Sequence, residues 1–191
     1  ALIVAGCGVP VAKHGNKALS SKSGSSEVLE ALGVKLDIAP AQISNCIRTA
    51  GLGFMFAPLH HKAAGHAANA RKTLGVRTLF NALGPAPHPA GAKHQLMGVY
   101  SRQLVRPIAE VLGKLGAKSA WVVHGSDGLD ELTTTGPSFV AELKNGAVSE
   151  FEITPEAAGL APASINDLVG GDPKENAKAI TRLLDGQPGA Y

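Results

Sequence analysis

The chain has 191 residues, of which 45% are hydrophobic and 17% are charged, and its net charge is +3 at pH 7. This composition excludes a disordered chain, because the charge is too low and the apolar content too high. No apolar run reaches the roughly 18 residues of a membrane span, and no heptad repeat indicates a coiled coil. The basic residues are too few for a dedicated nucleic-acid-binding domain, so neither a membrane nor a nucleic-acid partner is expected.

The first half of the chain alternates short strands with helices. Glycine and proline punctuate these segments, and the apolar residues repeat with a helical period or gather in short runs. The predicted elements are, in chain order, the end of a helix over the first eight residues, a strand over 9–12, helices over 26–33 and 39–50, a strand over 51–56 and a helix over 61–74.

The second half predicts more strand than helix. A stretch with three prolines, 84–91, is a stiff loop or hinge, and Asn145-Gly146 is the typical turn of a β-hairpin. The predicted elements are a strand or connector over 76–80, a strand over 97–100, a helix over 102–115, a buried strand over 119–124, a hairpin over 137–154 and a helix over 173–184. Strands that alternate with helices predict an α/β fold, and the hairpin predicts a mixed sheet flanked by helices.

The two cysteines, Cys7 and Cys46, lie far apart in the sequence. They form no CxxC motif and have no partnering histidine, which argues against a metal or redox site. They are interpreted as reduced core thiols of a cytoplasmic protein.

A polar segment over residues 13–26 is the densest group of candidate ligands. It holds three lysines, five serines, one asparagine and two glycines, without an acidic residue. Backbone N–H groups in a turn before a helix, together with lysine charges, can bind an anion. The segment predicts either a phosphate cradle or a solvated loop with an ordinary serine cap, and the residues alone leave both open.

A second candidate segment, 124–132, follows the predicted buried strand. Ligand sites in open α/β sheets lie at the carboxyl ends of strands. The adjacent carboxylates of Asp130 and Glu131 could hold Mg²⁺ together with substrate phosphates. The alternative, which the segment taken alone favours, is an Asp-Gly turn followed by a solvated acidic pair.

Three histidines and one arginine complete the candidates. His60, His61 and His66 lack the spacing of a helical zinc site, so they are interpreted as cap and surface residues. Arg71, on the predicted helix 61–74, is either a carboxylate-binding group or a solvated surface residue. No residue is assigned as a general acid or base.

In their order along the chain, six segments resemble the anthranilate phosphoribosyltransferase family. They are KHGN at 13–16, SSKSGSSEVLEALG at 20–33, GFMFAPLHH at 53–61, ARKTLGVRTLFNALGP at 70–85, VVHGSDGLDEL at 122–132 and GGDPKENA at 170–177. The resemblance covers nearly the whole chain. It implies a phosphoribosyltransferase α/β domain over 1–57 and 76–191, with the segment 58–75 belonging to a second, small all-helical domain.

The resemblance also implies an activity. Members of the family transfer the phosphoribosyl group of phosphoribosyl pyrophosphate (PRPP) to anthranilate in tryptophan biosynthesis, with Mg²⁺ as cofactor. Full-length members form homodimers through the helical domain. These expectations would make the two small molecules the partners of this protein.

The family pattern assigns the site residues one by one. Asp130 and Glu131 match the Mg²⁺ pair, and Asn16 matches a residue that touches both substrates. The PRPP-binding residues implied are Lys13, His14, Gly15, Asn16, Lys17, Ala18, Leu19, Ser20, Ser21 and Ser25. The anthranilate-binding residues implied are Asn16, Arg71, Gly84 and Pro85.

The chain departs from the family in two respects. Ala86 and His88 break the usual hinge pattern. The family's N-terminal helical segment, its GTGGD phosphate loop and its C-terminal end have no counterpart here, so the chain is expected to be a fragment that is inactive alone and prone to associate.

Two other functions remain in competition with the enzyme. One is a nucleic-acid-binding relative of the same fold, which would need a basic, aromatic groove, although aromatic residues are only 4% here. The other is a related nucleoside phosphorylase, to which the KHGN and HGSDGLDE segments are less suited.

Overall fold

The computed structural model describes residues 1–17, 23–61, 66, 73–74 and 88–190. It divides into two compact units, one formed by Ala1–Val76 with Gly170–Gly189 and the other by Arg77–Val169. Each unit combines a sheet with helices, so the α/β class predicted from the sequence is confirmed. The predicted elements over 61–74 and 76–80 lie almost wholly outside the described residues, and the assignment of 58–75 to a second domain stays a prediction.

Within the described residues, the predicted helices and strands occur in the predicted order with shifted ends, and the structure adds a short helix over Ala57–His60 that the sequence did not predict. The helices are α1 (Leu2–Gly6), α2 (Ser25–Ala31), α3 (Pro40–Ala50), α4 (Ala57–His60), α5 (Val105–Lys114) and α6 (Pro173–Leu184). The strands are β1 (Val11–Gly15), β2 (Leu52–Phe56), β3 (His94–Gly98), β4 (Ser119–Gly125), β5 (Ser138–Lys144) and β6 (Ala147–Ile153). Among the described residues, no helix is both long and apolar enough to cross a membrane.

In the first unit, β1 and β2 pair in parallel. Gly53 allows β2 to pack closely under α3, since a Cβ at this position would come 2.6 Å from Ile47 Cγ1. The predicted strand over 9–12 is wrong by about two residues. Pro10 has no N–H for the ladder, whereas Val11 donates a 2.8 Å hydrogen bond to the Gly51 carbonyl and starts the pairing. The polar segment therefore begins inside the strand and not after it.

In the second unit, four strands form a mixed sheet in the order β3-β4-β5-β6. β3 is parallel to β4, and the other two pairs are antiparallel. The amphipathic helix α5 covers one face, where Leu112 and Ala109 are fully buried. The predicted hairpin is confirmed: Asn145 and Gly146 take positive φ values of 52° and 79°, the conformation that a tight two-residue turn requires.

The cysteine prediction is half confirmed. Both thiols are free, as expected. The placement of Cys7 in the core is wrong, because it follows α1, a helix without a buried residue, and is itself exposed.

Candidate functional site

The carboxyl ends of β1 and β2 form the first candidate site, which we call the β1–β2 edge. Lys13, His14 and Gly15 are the last residues of β1, and the exposed Asn16 and Lys17 follow. Asn16 Oδ1 accepts a 2.8 Å hydrogen bond from the Lys17 N–H. Within the described residues neither lysine has an ion-pair partner. The edge therefore presents uncompensated positive charge where α/β proteins commonly bind ligands.

The start of α2 lies against this edge. A Cβ on Gly15 would lie 2.9 Å from Phe54 Cζ and 3.0 Å from Ser25 Oγ, so a larger residue would disturb both neighbours. The helix begins at Ser25, and the Gly24 N–H before it donates a 2.7 Å hydrogen bond to Glu27 Oε2. The structure thus brings Ser25 to the end of the strand that carries Lys13 and His14.

Of the two histidines that follow β2, His61 reaches the same edge. The rings of His61 and His14 meet edge-on, with centroids 4.9 Å apart and an interplanar angle of 72°. The Nε2 atoms of His60 and His61 are shielded from solvent and have no hydrogen-bond partner in the described part of the chain. The interpretation of His61 as a surface residue is therefore corrected. Its position after β2, separated from the strand only by the four-residue helix α4, was the signal that could have revealed this.

The loop 126–137 joins β4 to β5 and carries Asp130 and Glu131. Gly125 and Ser138, at its two ends, lie opposite each other in the antiparallel pair. Both carboxylates are exposed, and neither makes a hydrogen bond or ion pair with any residue that the structure describes. They are available to a ligand.

Asp127 plays a different part in the same loop. Burial raises the pKa of its carboxyl, but hydrogen bonds from the Thr133 and Thr135 hydroxyls and the Leu129 N–H outweigh this, and the pKa lies below its usual range. Thr135 Oγ1 is 2.7 Å from Asp127 Oδ2, and the Leu129 N–H donates to Oδ1 at 3.1 Å. Asp127 is therefore an ionised group that binds its own loop.

The Asp130 and Glu131 pair suits a magnesium ion in its chemistry. Carboxylate oxygens are the hard ligands that Mg²⁺ prefers, and proteins usually supply only one or two of them beside water and substrate phosphates. Among the described residues, no group of three or more His, Cys, Asp or Glu side chains could hold a metal by itself. The pair thus fits an ion that shares its ligands with a phosphorylated substrate.

Several residues that the sequence assigns to the site lie outside the described part of the chain. They are Ala18, Leu19, Ser20 and Ser21 of the PRPP segment, and Arg71, Gly84 and Pro85 of the anthranilate group. Their roles stay predictions.

Comparisons with known proteins cover the whole chain. Residues 1–191 match the family model described as glycosyl transferase family, a/b domain. The chain is 62% identical over 191 residues to the anthranilate phosphoribosyltransferase of Parvibaculum lavamentivorans, covering 100% of this chain and 56% of the relative.

Solved structures give the same result. The anthranilate phosphoribosyltransferase of Thermus thermophilus is 46% identical with a TM-score of 0.91, over 98% of this chain and 55% of that one. The enzyme from Saccharomyces cerevisiae, solved in complex with PRPP and Mg, is 29% identical with a TM-score of 0.83, over 95% of this chain and 50% of that one.

The chain spans about half the length of the curated relatives it matches. Its β1–β2 edge and its carboxylate loop both fall inside the matched span. Sequence, fold and comparison agree, and the chain belongs to the glycosyl transferase family, matching the family's α/β domain along its whole length.

Proposed function

We propose that the protein transfers the phosphoribosyl group of PRPP to anthranilate, giving N-(5-phosphoribosyl)anthranilate and pyrophosphate in tryptophan biosynthesis. The observation that carries this proposal is the 62% identity, along the entire chain, to a protein named anthranilate phosphoribosyltransferase. The complex of the yeast relative with PRPP and Mg supports the choice of donor and metal. The activity would belong to the full-length protein that contains these residues.

The β1–β2 edge would bind the phosphates of PRPP. Lys13 and Lys17 bring positive charge to the edge, and Ser25 brings a hydroxyl beside Gly15. Positive charge and hydrogen-bond donors held in place stabilise negative charge that develops on a leaving group. Asn16, exposed directly after β1, would contact anthranilate as well as PRPP.

Asp130 and Glu131 would hold Mg²⁺ together with PRPP oxygens. The ion, when bound, neutralises charge on the pyrophosphate group and makes it a better leaving group. The loop's contribution is to keep two carboxylates side by side and unpaired with other described residues, so that they are ready for the ion.

The reaction needs no general base from the described residues. The bond between the sugar C1 and the pyrophosphate oxygen breaks, and its electron pair leaves on that oxygen. The amine nitrogen of anthranilate uses its lone pair to form the new C1–N bond and then releases one proton to solvent. The protein's task is therefore to position two substrates and to stabilise the departing anion.

A fluorescence assay tests the proposal. Full-length protein with PRPP, anthranilate and Mg²⁺ is expected to convert anthranilate, so that its fluorescence falls with time. The fluorescence should stay constant when PRPP is omitted or the metal is chelated. No PRPP-dependent loss would overturn the proposal. Phosphate-dependent cleavage of a nucleoside in its place would support the phosphorylase alternative, and salt-sensitive nucleic-acid binding without transfer would support the binding alternative.

The remaining assignments stay predictions with their own tests. Gel filtration with light scattering checks the homodimer, and cell fractionation checks the cytoplasmic location. The same fluorescence assay on the 191-residue chain checks the expectation that these residues alone are inactive.

A further inference from the structure

The loop that carries Asp130 and Glu131 is held from two sides by groups that would not themselves touch a ligand. One is the backbone of β3 at Gly98, and the other is the partly buried carboxylate of Asp127. We infer that Gly98 and Asp127 are positioning residues that fix the Asp130–Glu131 peptide and thereby set the magnesium affinity of the pair. This inference rests on the proposed function of the pair.

The first support is a close backbone contact. A Cβ added to Gly98 would overlap the carbonyl oxygen and carbon of Asp130. That carbonyl belongs to the peptide that links Asp130 to Glu131, so β3 lies directly against the backbone between the two carboxylates. The φ angle of Gly98 is not positive, and its glycine is therefore required by the approach of two backbones and not by its own conformation.

The position of β3 at this contact is itself secured. The Val99 N–H donates a 3.0 Å hydrogen bond to the Val123 carbonyl. His124 Nδ1 lies 2.8 Å from the Val99 carbonyl oxygen. These bonds hold the residue after Gly98 against β4. The β3 backbone therefore has a fixed position and limits how closely the loop can approach.

The second support is the hydrogen bonding of Asp127. Its carboxylate accepts from the Leu129 N–H on one side of the pair and from the Thr133 and Thr135 hydroxyls on the other. The Thr133 N–H in turn donates a 2.9 Å hydrogen bond to Ser138 Oγ, at the start of β5. Residues on both sides of Asp130–Glu131 thus donate hydrogen bonds to the same carboxylate, that of Asp127.

Both contacts constrain the same short stretch around Asp130 and Glu131, but in different ways. Asp127 limits how far the loop opens, and Gly98 determines where the peptide between the two carboxylates can rest. A displacement of about 1 Å is enough to spoil ligand geometry, because functional groups must be held within about 0.5 Å of the productive arrangement. Changes at either residue should therefore weaken metal binding without removing a ligand.

The experiment uses full-length protein with PRPP and measures two quantities. One is the Mn²⁺ dissociation constant, taken from the electron paramagnetic resonance signal of the free ion. The other is the Mg²⁺ concentration that gives half-maximal rate. Gly98→Ala is expected to raise both about tenfold or more, with a smaller change in the maximal rate at saturating Mg²⁺.

Three further variants keep the test valid if Gly98→Ala fails to fold. Thr135→Val removes one hydroxyl from Asp127 and should raise both quantities severalfold, and Thr135→Ser should restore them. Gly113→Ala is the matched control, because its new Cβ would meet only side-chain atoms of Leu143, the nearest at 3.2 Å, and both quantities should stay within twofold of the parent.

The outcomes separate this inference from the function on which it rests. The double variant Asp130→Ala with Glu131→Ala serves as the reference. If that variant binds Mn²⁺ normally, the metal site itself is wrongly assigned. If it loses Mn²⁺ while Gly98→Ala and Thr135→Val bind the ion as tightly as the parent, the positioning role is refuted and the proposed function stands.

Discussion

The β1–β2 edge and the loop 126–137 are organised in different ways. At the edge, Asn16 and Lys17 are exposed, and the Nε2 atoms of His60 and His61 have no hydrogen-bond partner among the described residues. In the loop, by contrast, a hydrogen-bonded network joins Asp127, Thr133 and Thr135 to Ser138 at the start of β5. Asp130 and Glu131 lie outside this network.

This difference indicates what fixes the arrangement of the ligand groups at each site. A hydrogen-bonded network holds ligand groups in place before the ligand arrives, which lowers the ordering cost of binding. At the edge, the polar groups that have no hydrogen-bond partner among the described residues are expected to become ordered when a ligand binds. We therefore expect substitutions behind the loop to affect binding from a distance, and substitutions behind the edge to act mainly by direct displacement of neighbours.

Removal of the two loop carboxylates should produce the largest effect. In the full-length protein, Asp130→Ala with Glu131→Ala is expected to lower the Mg²⁺-dependent rate by at least about 100-fold, the scale of losing one preorganised charge-stabilising group. Steady-state assays over a range of Mg²⁺ and PRPP concentrations measure it. Because both side chains are exposed and unpaired with other described residues, the melting temperature should change little. A variant with normal Mg²⁺ dependence would contradict the assignment.

Loss of the Asp127 charge should come next, and its effect should depend on pH. The pKa of Asp127 is lower in the folded protein than in the unfolded chain. Its stabilisation is therefore complete above the ordinary aspartate pKa of about 4 and is lost as the pH falls through the folded value. At pH 7, Asp127→Asn should lower the free energy of unfolding by about 1.5–3 kcal/mol, the scale of hydrogen bonds to a charged group.

Urea unfolding at pH 7, 5, 4 and 3 measures this dependence. The gap between parent and Asp127→Asn should narrow as the pH falls, since the parent then loses what the variant already lacks. Asp37→Asn is the control, because that exposed carboxylate has no hydrogen bond or ion pair to another described residue. A gap that stays constant from pH 7 to pH 3 would show that the Asp127 charge contributes nothing.

A glycine substitution at the β1–β2 edge should have a moderate effect. Gly15→Ala would place a Cβ 2.9 Å from Phe54 Cζ and 3.0 Å from Ser25 Oγ. These neighbours are side-chain atoms and can shift, unlike the backbone that faces Gly98. We expect a loss of about 1–3 kcal/mol in stability, typical of overpacking, and a rise of about tenfold in KM for PRPP. Chemical denaturation and initial rates measure the two effects.

Gly6→Ala is the matched control for that substitution. Its Cβ would have no neighbour within 4 Å, and the position lies in α1. An unchanged KM for PRPP in Gly15→Ala would mean that Ser25 and the end of β1 do not contact the donor.

The sequence allowed the α/β class, most of the described helices and strands and the hairpin to be predicted, for reasons that are local. Asp172 and Pro173 mark the start of α6, and Asn145-Gly146 marks the turn, because each meets a backbone requirement within a few residues. The start of β1 was missed because the pairing of Val11 depends on Gly51, forty residues away.

For the candidate sites, the sequence indicated which residues could be ligands but not which residues hold them in place. The position after a buried strand made the loop carboxylates candidates, but the segment alone favoured a solvated pair, and only the family resemblance assigned them to Mg²⁺. The role of Asp127 was not predicted, because it depends on Thr133 and Thr135 folding back onto it. Nothing local marks Gly98, whose contact with Asp130 arises only when β3 and the loop are assembled. Long-range packing therefore decides which of several similar residues binds and which one positions.

The smallest expected effect comes from the cap of α6, which packs against α2 in the first unit. The Asp172 carboxylate accepts hydrogen bonds from the Lys174 and Glu175 N–H groups at 2.8 and 2.9 Å. Asp172→Ala should therefore cost about 1 kcal/mol of stability. Asp185→Ala, at the other end of the same helix, should be neutral or slightly stabilising, because it removes a negative charge from the negative end of the helix dipole.

Paired urea unfolding of the two variants measures this contrast. Metal affinity should stay within twofold in both variants, since the loop 126–137 is held by its own hydrogen bonds and by contacts with β3 and β5, all within the second unit. A drop in Mn²⁺ affinity for Asp172→Ala alone would show that the loop depends on the stability of the first unit, and the distinction between a self-organised loop and a ligand-organised edge would then fail.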